Sequence, residues 1–300
     1  MLFLEKINEF LNNKDSKNKI IVIYGPTASG KTGLSIELAR YLDTEIIGAD
    51  SRQIFLGLDI GTGKATLEEM SGIKHHMIDI IPPDNDYSVG EYKNEVEKII
   101  DDMLSKGKIP IICGGTGLYI DSLIYDFDIP KIPADEVLRA RLEQERLEFG
   151  NEYLWDKLNK IDPDYAKELH PNNYRYVIRA IEVKTLTGKS KLDFKTEKAL
   201  KFDTLFLTPY DGDREKLYNK IDLRIKQMFD LGLVDEVKGL LEKYDKNSFG
   251  LKTIGYKEVI DYLDGNISLD EAISLVQKHN RNYAKRQLTW FRKYEEDLEI

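Results

Sequence analysis

Residues 25–32 read Gly-Pro-Thr-Ala-Ser-Gly-Lys-Thr and fit the pattern G-x-x-x-x-G-K-[ST]. Glycine at Gly25 and Gly30 permits a tight turn in which successive backbone N–H groups point inward. At the start of a helix such a turn cradles phosphate oxygens. Pro26, Thr27, Ala28 and Ser29 complete the loop. Lys31 supplies a point charge, and the Thr32 hydroxyl is of the kind that ligates Mg2+.

A phosphate loop does not by itself mean ATP hydrolysis. Nucleotide hydrolases and kinases built on it carry a second strand ending in an acid that helps hold the metal. Here the apolar run Ile109–Cys113 ends in Gly114-Gly-Thr-Gly117, and Met77-Ile-Asp-Ile80 has its acid in the middle. Asp50, closing the apolar stretch Glu45–Ala49, is the best-placed carboxylate. Strand C-termini line the ligand crevice of an open parallel sheet, so Asp50 and Thr116 are expected to face the phosphate loop. The plainer roles are a helix cap or outer metal contact for Asp50, and a turn hydroxyl bonded to backbone for Thr116.

A third group lies near the end. Residues 278–293 hold Lys278, Arg281, Lys285, Arg286, Arg292 and Lys293 and no acid, with Tyr283, Trp290 and Phe291 between them and Tyr294 next. On a helix, 278, 281, 285 and 292 fall within an arc of about 60°. A basic stripe with aromatics suits a phosphate backbone with unstacked bases; otherwise it is a solvated helix whose aromatics pack inward. Arg139 with Arg141 and Arg175 with Arg179 are further basic groups. His75 and His76, adjacent in a strand, point to opposite faces and read as structural.

The elements that must position these groups follow from pattern. Ile20–Tyr24 is a continuous β-branched run, as in a strand buried on both faces. Apolar residues at mostly helical spacing follow the phosphate loop, and Ser88 with Glu91 forms a capping box opening a helix that stops near Gly107. Alternation of strand and helix predicts an α/β fold: a P-loop NTPase-like open parallel sheet. At Ile129-Pro-Lys-Ile-Pro133 two prolines make a stiff connection. From there to about residue 200 only helical patterns occur. A strand returns at Phe202–Thr208, followed by helices near 214–231, 234–244, 256–263 and 269–294. The expected organisation is residues 1–128 and 201–300 as the core and 129–200 as a helical insertion domain.

Composition bounds the function. With 41% apolar and 32% charged residues the 300-residue chain is neither fibrous nor disordered. One cysteine, Cys113, excludes an intrachain disulfide and a cysteine-rich zinc site. A net charge of −9 requires any nucleic acid to be held by a local basic patch. Apolar runs stop near five residues, so no membrane segment is expected, and the start reads as one or two turns of amphipathic helix. A cytoplasmic location is the default expectation, with no obligate protein partner.

Taken together, these segments resemble the tRNA dimethylallyltransferase (tRNA isopentenyltransferase) family. The match runs through Gly25–Thr32, Asp50-Ser-Arg-Gln53, Asp59-Ile-Gly-Thr62, His75-His76 with Ile78-Asp79, Tyr87-Ser-Val89 and Gly114-Gly-Thr-Gly-Leu-Tyr119. It continues through Arg139-Ala-Arg141, Arg179-Ala-Ile-Glu-Val183, Thr253-Ile-Gly-Tyr-Lys-Glu258 and Arg281-Asn-Tyr-Ala-Lys-Arg-Gln-Leu-Thr-Trp-Phe-Arg292. The last two segments with Gly-Gly-Thr-Gly are specific; the phosphate loop alone is shared widely. Phe55 stands where the family has Tyr, and Gly63 and Ala65 where it has Ala and Pro. The sequence ends soon after Trp-Phe-Arg, so the bacterial type, without a zinc-finger tail, is expected.

The resemblance implies transfer of a dimethylallyl group from dimethylallyl diphosphate to N6 of adenine 37 in tRNA, with Mg2+ and without ATP. It implies Asp50 as general base, Thr116 at the bridging oxygen, and Lys31 and Arg224 on the diphosphate. The tRNA anticodon stem-loop is then expected at Asp50, Ser51, Arg52, Gln53, Thr116 and Arg139, and at Arg175, Tyr176, Val177, Ile178 and Arg179. Further contacts are expected at Lys252, Thr253, Ile254, Gly255, Tyr256 and Lys257, and at Arg281, Asn282, Tyr283, Ala284, Lys285, Arg286, Gln287 and Leu288. The Gln53 amide could read a base edge. The rival readings are a P-loop kinase of a nucleotide or small metabolite with the insertion as its lid, and a P-loop tRNA-binding protein without chemistry. A close variant would prenylate free adenine nucleotides.

Overall fold

The computed structural model describes residues 2–13, 18–125, 134–194 and 199–296. The connection at 129–133 and the expected boundary after 128 lie outside them. The described chain divides into two compact units, Met1–Ile124 with Leu200–Ile300, and Tyr125–Ala199.

The first unit is built on a five-stranded parallel sheet. Its strands are β1 (Lys19–Tyr24), β2 (Ile46–Gly48), β3 (His75–His76), β4 (Ile111–Gly114) and β5 (Asp203–Leu207), in spatial order β3-β2-β4-β1-β5. The β-branched run explains the position of β1. It pairs with β4 on one side and β5 on the other, and Ile20–Ile23 are wholly inaccessible to solvent. Only a strand apolar on both faces fits between two helical layers.

The helices of this unit are α1 (Leu2–Asn12), α2 (Lys31–Leu42), α3 (Leu67–Met70), α4 (Val89–Ser105) and α5 (Gly117–Ile124). One turn or two was expected of α1, but it runs to 11 residues. Two interactions account for the difference: Ile7 is buried against the sheet, and Lys19 Nζ donates to the terminal carbonyls of Phe10 at 2.6 Å and Leu11 at 3.2 Å. The capping box at Ser88 and Glu91 opens α4 as the spacing required.

The second unit holds α6 (Glu136–Phe149), α7 (Asn151–Ile161), α8 (Pro163–Ala166) and α9 (Tyr174–Thr187). Leu138, Leu142, Leu154, Leu158, Val177 and Ile181 form its core.

The chain then re-enters the first unit at β5 and finishes with α10 (Arg214–Asp230), α11 (Leu233–Leu241), α12 (Tyr256–Leu263) and α13 (Leu269–Glu296). Their apolar stripes close a second core with Ile54, Phe55 and Leu58 from the segment after β2. The far end of α13 docks on the sheet through rings: Phe291 and Tyr294 pack on Tyr24, and Tyr294 on Phe206. Asp121 of α5, almost fully buried, accepts from Trp290 Nε1 at 3.1 Å and also from Lys293 and Tyr294. No described helix is long and apolar enough to cross a membrane.

Candidate active site

The phosphate loop leaves β1 at Gly25, whose φ of +143° lies outside the range L side chains favour. A Cβ there would lie 3.1 Å from Thr208 Oγ1 and 3.2 Å from Ser29 Oγ. Ala28 and Gly30 also take positive φ, and α2 starts after Gly30 with no side-chain cap. Its first N–H groups therefore remain available to an anion. Ser29 Oγ is buried without a partner, a hydroxyl that an anion would satisfy. Lys31 Nζ donates to Pro26 O at 2.7 Å. Burial takes its pKa down to about 8, even though Cys113 and Asp50 pull it up. An ammonium so destabilised gains more than an exposed one when an anion arrives.

The loops after β2 and β4 are bound to each other. Thr116 N–H donates to Ala49 O at 3.0 Å, and Ser51 N–H donates to Thr116 Oγ1 at 3.0 Å. Asp50 Oδ1 accepts from Arg52 N–H at 2.9 Å. The glycines of Gly114-Gly-Thr-Gly117 are fixed by space, since none of them takes a positive φ. A Cβ at Gly114 would stand 2.1 Å from Ala49 O, at Gly115 2.2 Å from Gln287 Nε2, and at Gly117 2.2 Å from Trp290 Cδ1. The Asp50 charge is felt by Lys31, Arg224 and Tyr283, which places it among them. Burial, with Asp50 beside it, pushes the Tyr283 hydroxyl up to about 12 although it bonds Thr116. Neither candidate strand delivers the acid of a nucleotide hydrolase: β4 ends in glycines, and Asp79 beyond β3 is paired with Lys64.

Arg224 reaches the site from α10. It is half-buried, not solvated, with its pKa lowered by burial, and Nη2 donates to Gly63 O at 3.1 Å. The Gln53 amide, expected at a base edge, donates to Thr62 O and Gly63 O at 3.2 and 3.3 Å. The segment carrying these carbonyls is held from behind by Glu236. Its carboxylate accepts the N–H groups of Asp59 (3.2 Å), Ile60 (2.7 Å) and Gly61 (3.2 Å), and the Tyr256 hydroxyl at 2.6 Å. A Cβ at Gly61 would lie 2.5 Å from the Tyr256 ring. Sequence reasoning passed over Glu236 because no local pattern marks it; only the glycines it packs behind leave a trace.

The basic helix differs in detail from the expected arc. Arg281 is ion-paired with Asp222. Instead, Asn282, Lys285, Arg286, Thr289, Trp290 and Lys293 line a groove of about 680 Å3. The inward-packing alternative holds for Phe291 and Tyr294, which are buried, while half-exposed Trp290 stays with the cations. Several residues expected at RNA turn inward. Thr253, Gly255, Tyr256, Ala284 and Gln287 are buried, and in these segments Lys252, Lys257, Lys285 and Arg286 meet solvent. Half-buried Ile254 and Leu288 pack against the helical core.

In the second unit Val177 and Ile178 are buried, whereas Arg175 and Tyr176 are exposed. Arg139 grips the Glu182 carboxylate through Nε at 2.8 Å and Nη2 at 3.0 Å, and Arg179 bonds the same group. Burial raises the Glu182 pKa, but the two guanidiniums and the Asp135 N–H outweigh it and hold the group below its ordinary value. Arg139 Nη1 also lies 3.5 Å from the Glu136 carboxylate. His76 Nε2 bonds Glu45 at 2.7 Å, and Lys108 and His76 together hold Glu45 down to about 2; neither histidine approaches a metal set.

No trio of His, Cys, Asp and Glu able to hold a metal occurs among the described residues. Mg2+ commonly takes one or two protein oxygens and completes its shell with water and substrate phosphate. The exposed Thr32 at the start of α2, with Asp50 near Lys31, fits that mode.

Comparison with known proteins agrees with this geometry. A family model described as IPP transferase matches residues 53–294, and one described as isopentenyl transferase matches residues 18–82. A tRNA dimethylallyltransferase of Acetivibrio thermocellus is 50% identical over 281 residues, covering 93% of this chain and 90% of the relative. One from Alkaliphilus oremlandii is 48% identical with the same coverage. Among solved structures, the tRNA isopentenylpyrophosphate transferase of Bacillus halodurans superposes with a TM-score of 0.67 at 44% identity, over 92% of this chain and 87% of that one. A eukaryotic dimethylallyltransferase acting on tRNA gives a TM-score of 0.79 at 34% identity, over 92% of this chain and 70% of its own.

Proposed function

The chain belongs to the IPP transferase family, and from that premise we propose that it transfers a dimethylallyl group from dimethylallyl diphosphate to N6 of adenine 37 in tRNA. The products are N6-dimethylallyladenosine and diphosphate. The observation that carries this reading is a phosphate loop with Lys31, Arg224 and the β2-end Asp50 around it, while β4 ends in glycines and Asp79 is paired with Lys64.

The exocyclic amine is a poor nucleophile because its lone pair is delocalised into the ring. As its nitrogen attacks the allylic carbon, Asp50 takes the amine proton. The C–O bond to diphosphate breaks with its electron pair going to the leaving oxygen. The loop amides, Lys31 and Arg224 stabilise the charge that collects there. Thr116 Oγ1 accepts from Ser51 N–H and stands a long 3.4 Å from Ser51 Oγ; its own proton, otherwise shared with Ser51 and Tyr283, can turn to the bridging oxygen. Mg2+, held at Thr32, would supply further charge neutralisation on the diphosphate.

The adenine must leave the anticodon stack, at a cost of a few kcal/mol that is smallest in a single-stranded loop. The groove along α13 is the surface suited to that loop, with Lys285 and Arg286 for phosphates and Trp290 for a base, while Lys293 at its edge is paired with Asp121. A tRNA substrate places the work in the cytoplasm.

Incubation with labelled dimethylallyl diphosphate, Mg2+ and unmodified tRNA should put label on the RNA, and replacing tRNA by ATP should give no product. Turnover of ATP without tRNA would establish the kinase reading instead. RNA binding with no prenylated product would leave a binding protein.

A further inference from the structure

Gln287 sits on the inner face of α13, only 5% exposed, and has no role in the chemistry described so far. Its side-chain amide is fully engaged. Oε1 accepts the N–H of Thr27 at 2.9 Å, and Nε2 donates to Gly115 O at 2.8 Å. The first partner belongs to the phosphate loop. The second lies beside Thr116, whose hydroxyl is bound to the loop carrying Asp50. One planar amide thus spans the cradle for the leaving group and the loop pair that presents Thr116 and Asp50.

The fit around this amide is tight. A Cβ on Gly115 would come within 2.2 Å of Gln287 Nε2, so glycine is the residue that lets the bond form. Thr27 precedes Ala28 and Gly30, both at positive φ, and fixing its N–H fixes the peptide that feeds this run of inward amides. Because Thr27 N–H is spent on Gln287, it is not a phosphate ligand; it is the point at which the cradle is anchored.

We propose that Gln287 is a positioning residue that sets the register between the phosphate loop and the Thr116–Asp50 loops, and so the distance between leaving group and proton acceptor. This rests on the dimethylallyl-transfer reading for its kinetic consequence, but not for its geometry. Diphosphate affinity depends mainly on the loop amides and Lys31, so loss of register should appear in kcat more than in KM. A misplacement near 1 Å costs on the order of 10²-fold in rate.

Gln287→Met keeps the volume and removes both bonds. It should lower kcat about 10²-fold, with KM for dimethylallyl diphosphate, tRNA Kd and Tm little changed. Gln287→Glu gives a second, sharper readout. A neutral carboxylic acid has one acceptor and one donor, as the amide does, and burial beside a carbonyl favours that neutral form. Its kcat relative to wild type should therefore recover as pH falls, whereas the Met variant should show no such recovery. Amide hydrogen exchange at Thr27 should quicken in the Met variant, whatever reaction the enzyme performs.

A Met variant within threefold of wild-type kcat, or one whose loss is matched by falling Tm and tRNA affinity, would overturn the proposal. Unchanged exchange at Thr27 would do the same. If wild-type enzyme failed to label tRNA, the functional reading would fail, while the exchange experiment would still decide whether Gln287 anchors the loop.

Discussion

Asp50 and Lys31 carry opposite duties within one small volume, and each can be tested alone. Asp50→Ala removes the proton acceptor but no core contact, so the variant should fold and bind tRNA while losing most of the rate. A single-turnover assay beside a tRNA filter-binding assay separates the two; a rate within a few-fold of wild type would remove Asp50 as base. Lys31 offers a pH signature. Its folded value of about 8 lies below the ordinary lysine value of 10.5. Between those values the unfolded chain holds a proton that the folded one does not, so this group's contribution to stability rises with pH across that window. Below it, the buried charge is a standing cost. Lys31→Met should therefore raise the melting temperature of the free protein at pH 7 while weakening diphosphate binding by about 10²-fold, the scale for one lost preorganised donor. In the wild type an anion favours the charged form, so diphosphate affinity measured by calorimetry should fall as pH rises through about 8, with proton uptake on binding.

Between elements, the decisive contacts join residues far apart in the chain. Asp121 of α5 holds Trp290, Lys293 and Tyr294 of α13 together. Asp121→Ala would leave the Trp290 and Tyr294 donors and the partly buried Lys293 without this acid and should cost about 1–3 kcal/mol, read from denaturant unfolding. The sequence displayed much of the architecture because the signals were local. The β-branched run of β1, the glycines of the phosphate loop and the Ser88–Glu91 box each sit within a few residues of what they specify. The position of Asp50 was legible for a related reason, since topology alone puts a strand tip beside a phosphate loop. Glu236, Asp121 and the bridging role of Gln287 were not legible, because each acts on backbone or side chains more than a hundred residues away. The pairing of Arg139 with Glu182 was hidden similarly, because α6 and α9 must pack before the two meet, whereas Arg179 sits three residues before Glu182 on α9 and its pairing is local. On α13 the expected arc holds for Lys278, Lys285 and Arg292, which are exposed; Arg281 departs from it because helical spacing does not show that Asp222 of α10 claims it.

At the scale of the whole molecule, a chain of net charge −9 has to bind a polyanion. The groove with exposed Lys285 and Arg286 concentrates cations where the average surface repels RNA. Charge-removing substitutions at Lys285 and Arg286 should weaken tRNA binding at low salt and reduce the slope of log K against log salt by about 0.7 per lost phosphate contact. An unchanged slope would return that helix to ordinary solvated surface. The acidic balance has an internal counterpart. Three consecutive amides at Asp59, Ile60 and Gly61 converge as they would on a captured anion, and the protein plugs them with its own Glu236. Tethered in the same chain, that carboxylate competes at an effective concentration of millimolar or more. With those amides filled from within, they are closed to an outside anion, whereas the uncapped start of α2 keeps its amides free.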